Sequence, residues 1–244
     1  MKSIASASAF SYVGEELQLF SHAVTWKQYW SRHISPYLGG RVLEVGAGIG
    51  TNTLILASHR QQQWVCLEPD RALVASLEAK VKELKSRPAR LQVLAGDTSS
   101  LPSEPVYDTI LYIDVLEHIG PDQEEMERAY QLLAPGGYLV VLSPAHQYLY
   151  TIFDKGLGHF RRYSRQTLRA AGPRGCDALR LFYLDSVGFF ASLVNRLLLK
   201  QKLPTLAQIK FWDRYLVGAS LLVDPLLGFH FGKTVIGIWQ KPAG

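Results

Sequence analysis

The middle of the chain alternates short apolar runs with longer amphipathic segments. The short β-branched runs predict buried strands at residues 41–45, 63–67, 91–95, 109–113 and 138–142. The segments between them have the length and polarity of helices at residues 52–59, 71–86 and 122–133. Strands that alternate with helices pair in parallel through right-handed crossovers. This pattern therefore predicts a doubly wound α/β fold on a mostly parallel sheet.

The flanking regions predict additions to this core. Residues 15–37 indicate one or two helices with an aromatic face, and a short helix is expected near Thr167. Two more strands, at residues 179–184 and 234–240, bring the predicted sheet to seven. We expect one domain over residues 1–244, divided into an N-terminal helical cap (1–38), a cofactor-binding core (39–144), an acceptor-loop region (145–185), a helical insertion (186–232) and the last strand (233–244).

Composition narrows the class of protein. Hydrophobic residues at 48% and charged residues at 19% are typical of a globular chain. Cys66 and Cys176 lie far apart, which favours a reduced, cytoplasmic protein. No apolar run reaches the roughly 18 residues that a membrane span requires. The sequence therefore predicts neither export nor a membrane-spanning protein.

Charge is distributed unevenly. Residues 1–150 carry 12 basic and 16 acidic side chains, whereas residues 151–244 carry 14 and 5, so the net charges are −4 and +9. The basic part is either a solvated face or a surface that attracts an anionic substrate or anionic lipid. Its basic residues are spread among long apolar segments, so nucleic acid is not expected as a partner.

A glycine-rich turn follows the first predicted strand. Gly46 and Gly48 remove side chains where a ligand must lie against the backbone, and Gly50 lets a helix pack closely. Glu68 ends the second strand, where a carboxylate can accept the hydroxyls of a ribose. The spacing lacks the third glycine of the pyrophosphate pattern, and the Glu44 carboxylate would repel a diphosphate. A cationic nucleoside without phosphate therefore suits the turn better than NAD.

From residue 41 to residue 142 the chain resembles the class I SAM-dependent methyltransferases (SAM is S-adenosylmethionine). The resemblance includes the turn at residues 44–50, Glu68, the segment Gly96-Asp97-Thr98, the strand and loop at 108–119 and the turn at 132–137. It implies that Glu68 holds the ribose and Asp97 the adenine amino group, with Thr98 beside it. It further implies that Gly46 and Gly48 flank the methionine moiety, and that Ile113 and Asp114 line the pocket floor.

Candidate acceptor residues follow the fourth and fifth strands, because ligands gather beyond the carboxyl ends of parallel strands. Residues 153–163 are similar to a loop with a GHxRRY pattern in a bacterial subgroup of these methyltransferases, often found with glycan- or lipid-modifying enzymes. His159 is our first candidate for a general base and His146 the second. The predicted substrate-binding residues are Tyr150, Arg161, Arg162 and Tyr163.

Simpler interpretations of these residues remain open. Arg161 and Arg162 can pair with Asp154 or Asp185, and His118 can pack beneath its loop. No acidic pair with asparagine follows the fourth strand, so no metal is expected. The basic insertion can cover an apolar acceptor, mediate a dimer or rest on a membrane surface.

These observations predict methyl transfer from SAM by direct displacement to a small, anionic or amphiphilic acceptor, such as a natural product or a lipid- or sugar-linked metabolite. A monomer or homodimer with peripheral membrane contact is compatible with them. The alternatives are a SAM-binding protein or partner subunit without catalysis and, with less support, an NAD-dependent oxidoreductase.

Overall fold

A computed structural model describes residues 15–82, 88–196 and 204–243. Parts of four predicted segments lie outside these residues: positions 1–14 of the cap, 83–86 of the second helix, 197–203 of the insertion and 244 of the last segment. The strands are β1 Arg41–Val45, β2 Gln63–Glu68, β3 Arg90–Ala95, β4 Tyr107–Ile113, β5 Leu133–Pro144, β6 Asp177–Leu184 and β7 Thr234–Gln240. The helices are α1 Glu15–Ser21, α2 Val24–Ile34, α3 Thr53–Leu56, α4 Arg71–Lys82, α5 Asp122–Leu132, α6 Ile152–Gly156, α7 Arg165–Ala171, α8 Ser186–Val194, α9 Leu206–Phe211 and α10 Val217–Leu226.

The seven strands form one sheet in the order β3-β2-β1-β4-β5-β7-β6. Neighbouring strands pair in parallel except at β7, which runs antiparallel to both β5 and β6. The chain reverses its direction of travel across the sheet between β1 and β4, so their carboxyl ends border a crevice where ligands bind in such folds. The predicted doubly wound, mostly parallel seven-stranded fold is confirmed.

Each face of the sheet carries a hydrophobic core, because successive side chains of a strand point to opposite faces. Val42, Trp64 and Leu111 pack on one face with the aromatic side of α2, which includes Trp26 and Trp30. On the other face, Leu43, Val65 and Ile110 pack with side chains of α5 and α7. A sheet covered on both faces explains why its strands read as nearly continuous apolar runs.

One helix is shorter than predicted, and the helical insertion contains a π-helical turn. The helix predicted at residues 52–59 spans only Thr53–Leu56. After this helix, Gln61 Oε1 accepts hydrogen bonds from the backbone N–H and the hydroxyl of Ser58, which stabilises a turn. In the insertion, α9 continues through a π-helical turn at Trp212–Leu216 into α10. No helix within the described residues has the length and apolar character needed to cross a membrane.

Candidate active site

The glycine-rich turn has a backbone that only glycine adopts readily. Gly46, Gly48 and Gly50 have φ values of +65°, +56° and +78°. A Cβ at Gly50 would lie 2.3 Å from Leu77 Cδ1, so this glycine allows α4 to approach the turn. A Cβ at Gly48 would lie 3.5 Å from Leu17 Cδ1 of α1. The turn is therefore bare backbone, with α1 on one side.

Glu68 lies at the carboxyl end of β2 and is 5% exposed. Its Oε2 accepts a hydrogen bond from the Gly48 backbone N–H at 2.8 Å, and its Oε1 accepts one from Asp70 at 3.0 Å. Burial raises the pKa of this carboxyl group. Each carboxylate oxygen has a second lone pair, so the ionised group can still accept two ribose hydroxyls.

Asp97 and Thr98 follow β3 and use their side chains differently. Asp97 is exposed, and its Oδ1 accepts a hydrogen bond from the Ser99 backbone N–H at 2.8 Å, which leaves Oδ2 for an adenine amino group. Thr98 is buried, and its hydroxyl donates to Glu125 Oε2 at 2.9 Å. The hydroxyl of Thr98 thus fastens the loop to α5 and is not directed at a ligand.

Glu44 lies behind the turn and is 2% exposed. Its Oε2 accepts hydrogen bonds from Thr53 Oγ1 at 2.6 Å and Trp64 Nε1 at 3.0 Å. Its Oε1 has no partner among the described residues. Burial raises the pKa of Glu44 to about 7. The carboxyl group beside the glycine-rich turn therefore retains hydrogen-bonding capacity that the described protein does not use.

A cavity of about 790 Å³ begins beside this turn. Its walls are mainly apolar and include Leu17, Phe20, Trp26, Phe153, Leu157 and Trp212. Its polar lining includes Asp114, His118, His159, Arg162 and Lys233, which we call the polar region of the cavity. Leu17, which covers Gly48, and Asp114, whose neighbour Val115 packs against Gly46, place this polar region next to the turn.

Comparison with known proteins identifies the core. Residues 43–139 match a family model described as a methyltransferase domain. The structure of phosphoethanolamine N-methyltransferase 2 from Haemonchus contortus in complex with S-adenosyl-L-methionine is 18% identical, with a TM-score of 0.61 over 93% of this chain and 57% of that one.

Residues 43–139 are thus similar to a methyltransferase domain, and the chain has the fold of solved SAM-dependent methyltransferases.

Other similar proteins differ in what they do. The solved structure of the cyclase SpnF is 20% identical, with a TM-score of 0.61 over 95% of this chain and 96% of that one, which shows a shared fold. Among curated proteins, a tRNA U34 carboxymethyltransferase of Syntrophotalea carbinolica is 29% identical over 46% of this chain and 35% of its own length. A norajmaline N-methyltransferase of Rauvolfia serpentina is 27% identical over 44% of this chain and 37% of its own. The chain spans little more than a third of these relatives, so their names do not identify its acceptor.

Asp114 follows β4 of the methyltransferase core with an unusual φ of +55°. Its side chain is exposed to the cavity, yet the surrounding protein solvates its charge poorly. Desolvation raises the pKa of Asp114 to about 6, opposed by the positive charges of Lys27 and Lys233 and by His159 when its imidazole is protonated. Ile113, predicted beside it on the pocket floor, is 5% exposed and packs in the core. Of the two, Asp114 is the residue that reaches the cavity.

His159 is held by a buried carboxylate. Its Nδ1 lies 3.1 Å from Asp154 Oδ1, and Asp154 is fully buried. Arg162 donates to both oxygens of Asp154, at 2.6 Å and 3.0 Å. These hydrogen bonds keep the pKa of Asp154 well below its usual range despite its burial. An ionised Asp154 favours the tautomer with the proton on Nδ1, which leaves Nε2 of His159 as an acceptor.

Glu117 and His118 lie beside His159. Glu117 is fully buried, its Oε2 accepts a hydrogen bond from Ser143 at 2.9 Å, and its Oε1 has no partner among the described residues. Burial raises the pKa of Glu117 well above its ordinary value and lowers that of His118 to about 4. One ligand atom each from Glu117, His118 and His159 lie within 4.8 Å of one another. The three residues could hold a metal ion, although the sequence predicts none.

His146, the second candidate base, does not line the cavity. Its Nε2 lies 2.9 Å from the Gly232 carbonyl oxygen, and its ring stacks on Tyr148 and Tyr183. The positive φ of His146, +67°, turns the chain after β5. Its observed contacts are those of a packing residue.

Three of the four predicted substrate-binding residues make hydrogen bonds or ion pairs within the protein that stabilise the loop. Tyr150 donates to the His159 carbonyl oxygen at 2.6 Å. Arg161 forms an ion pair with Asp122 and donates to the Gly120 carbonyl oxygen. Tyr163 is 1% exposed and donates to Asp122 at 2.7 Å. Arg162 does line the cavity, but it pairs with Asp154, as the simpler interpretation of the sequence allowed.

The sequence analysis missed Lys233. This residue precedes β7, and its Nζ lies 3.4 Å from Asp185 Oδ2 and 3.8 Å from the ring centroid of Trp212. Burial lowers the pKa of Lys233. Nothing in the local sequence marks it, because the pairing of β7 with β5 brings it to the cavity.

Proposed function

We propose that the chain transfers a methyl group from SAM to an amphiphilic acceptor that carries a removable proton on its nucleophile. The observation that carries this proposal is the cavity, where apolar walls meet Asp114 and His159 beside the glycine-rich turn. An apolar cavity with a few convergent polar groups is typical of small-molecule sites. Asp114 and Lys233 give this region both charges, so it suits a polar or anionic head group on an apolar body.

The cofactor contacts follow from the geometry of the turn. Glu68 would accept both ribose hydroxyls, Asp97 would accept the adenine amino group, and the backbone of Gly46 and Gly48 would lie along the methionine moiety. Bound SAM supplies a methyl group on a cationic sulfur. Oxygen lone pairs at Glu68 and Asp97 that the described residues do not use support this fit.

His159 would take the proton that the acceptor loses. Its Nε2 can accept this proton, while Asp154 stabilises the imidazolium that forms. Arg162 fixes Asp154 from the other side, so the orientation of the imidazole is set before the acceptor binds. A carboxylate acceptor would need no base, so its turnover would not depend on His159.

The two cysteines support a cytoplasmic enzyme. Cys66 and Cys176 are both free thiols, as a reducing compartment maintains.

A monomer or homodimer would leave the cavity accessible to a small acceptor. The structure of a methyltransferase bound to the Trm112 activator from Haloferax volcanii has a TM-score of 0.60 to this chain, so a partner subunit is the alternative to test.

The test is acceptor-dependent formation of S-adenosylhomocysteine by the purified chain. The acceptors form a series that shares one hydroxyl head group and differs in alkyl length. We expect turnover to rise with alkyl length and to fall by roughly a hundredfold or more in His159→Ala, with SAM affinity unchanged in calorimetry. His146→Ala serves as the matched control and should keep its turnover.

Two results would contradict the proposal. Full activity of His159→Ala would remove this residue from the mechanism. Calorimetric SAM binding without turnover on any acceptor, alone or after a partner subunit is supplied, would favour a SAM-binding protein without catalysis.

A further inference from the structure

The outer face of the insertion exposes a row of large apolar side chains. Helices α9 and α10 and the π turn between them form one continuous helix over residues 206–226, about 30 Å long. Phe211, Tyr215, Leu222 and Leu226 are 55%, 57%, 74% and 85% exposed. Their spacings of four, seven and four residues place them along one side of a helix. We call these four residues the outer stripe.

Packing within the chain does not account for the outer stripe. The opposite side of the same helix already supplies the core contacts, through Ile209, Trp212 and Val217. A helix that is apolar on both sides is normally covered on both sides. A contiguous exposed apolar surface on a protein usually marks a site of contact with another molecule or with a membrane.

Within the described helix 206–226, the exposed charged side chains beside the outer stripe are both positive. Lys210 and Arg214 are exposed and form no salt bridge with a described residue. The two acidic residues of this helix point inward: Asp213 accepts from the backbone of Thr25 and Trp26, and Asp224 is fully buried. A surface with apolar and basic side chains complements an anionic bilayer.

The cavity opens at the same place. Ala191 of α8 and Ala207 and Phe211 of α9 each line the cavity and are each exposed. Phe211 therefore belongs to both the outer stripe and the cavity mouth. Two more exposed apolar residues, Phe190 and Val194, flank Ala191 along α8. An acceptor that leaves a bilayer at this point would reach the polar floor along an apolar path.

We infer that the outer stripe rests on an anionic lipid surface and that the acceptor enters the cavity from that surface. The docking on lipid does not depend on the proposed function. The identity of the acceptor as a membrane amphiphile does rest on the proposed function. A second copy of the chain fits less well, because a two-fold contact over the outer stripe would bring Lys210 and Arg214 of both copies into one interface, while the acidic residues of this helix are buried and cannot pair with them.

The test measures co-sedimentation of the full chain with vesicles of phosphatidylcholine, with or without phosphatidylglycerol. We expect binding to the anionic vesicles at low salt and at least tenfold weaker binding for the double variant Leu222→Glu/Leu226→Glu. Leu179→Glu, an exposed leucine on the edge strand β6, is the matched control and should bind as the unmodified chain does. Thermal unfolding confirms that all three proteins are folded.

Several outcomes would overturn the inference. These are absence of vesicle binding at low salt, equal loss of binding in the Leu179→Glu control, and a dimer in light scattering that the double variant dissociates while no vesicles are bound. SAM affinity is measured on the same proteins. Vesicle binding without SAM binding would refute the proposed function and leave the docking intact, whereas SAM binding without vesicle binding would refute the docking alone.

Discussion

Glu44 and Asp224 both have buried carboxyl groups, one in the cofactor-binding core and one in the insertion. The two groups differ in how completely they are hydrogen-bonded. Asp224 accepts from Tyr29 and the Asp185 backbone at Oδ2, and from the backbone and hydroxyl of Ser186 at Oδ1. Glu44 accepts two hydrogen bonds at one oxygen and none from a described residue at the other. Both oxygens of the Asp224 carboxyl group are hydrogen-bonded, whereas the Glu44 carboxyl group keeps one oxygen without a described partner beside the ligand site.

The largest expected effect is loss of stability when the insertion loses this anchor. Asp224→Ala leaves several buried donors without an acceptor, so we expect the free energy of unfolding to fall by roughly 3 kcal/mol. Urea denaturation measures it, with the exposed Asp177→Ala as the control. A fall no larger than that of the control would show that the insertion does not depend on Asp224.

The next effect is a pH dependence of stability that originates at Glu44. In the unfolded chain this carboxyl group loses its proton near pH 4.5, whereas in the folded protein it keeps it until about pH 7. The unfolded state therefore binds fewer protons across this window, and the free energy of unfolding falls as the pH rises through it, by roughly 3 kcal/mol at most.

Glu44→Gln removes this titration and keeps an acceptor for Thr53 and Trp64. We expect the difference in stability between the unmodified chain and the variant to shift in favour of the variant as the pH rises from about 4.5 to about 7. Urea denaturation at several pH values measures this shift. A constant difference across the window would mean that Glu44 ionises normally in the fold.

A smaller effect is expected at the cofactor itself. Glu68→Ala removes the acceptor for the ribose hydroxyls, so SAM should bind at least tenfold more weakly, about 1.4 kcal/mol or more. Calorimetry measures the affinity, and Glu124→Ala, at an exposed position of α5, is the control. Unchanged SAM affinity in Glu68→Ala would mean that Glu68 does not bind the ribose hydroxyls.

No effect is expected from removing metal. Because Nε2 of His159 is proposed as a proton acceptor, turnover should survive treatment with a chelator. Loss of turnover with EDTA, restored by Co²⁺ with a change in its absorption spectrum, would instead make Glu117, His118 and His159 metal ligands. That result would mean that His159 binds a metal ion and does not act as the general base.

The comparison between the two regions also explains which features of the fold and of the candidate site could be predicted from the sequence. The strands of the core and the residues Gly46, Gly48 and Glu68 were predictable, since short β-branched apolar runs and a glycine-rich turn are local signals. In the acceptor loop, residue types alone did not distinguish Arg162, which lines the cavity, from Arg161 and Tyr163, which brace the loop. Which side of a loop faces a ligand depends on what packs against the other side.

By itself the sequence determined the order of the elements, the doubly wound sheet and the position of the cofactor turn, because each depends on residues close together in the chain. Only the tertiary structure decided that Glu117, His118 and His159 meet, that Lys233 joins Asp114 at the cavity, and that the outer stripe lies at the cavity mouth. These groups come from distant segments, and the pairing of β5 with β7 together with the packing of the insertion sets their distances.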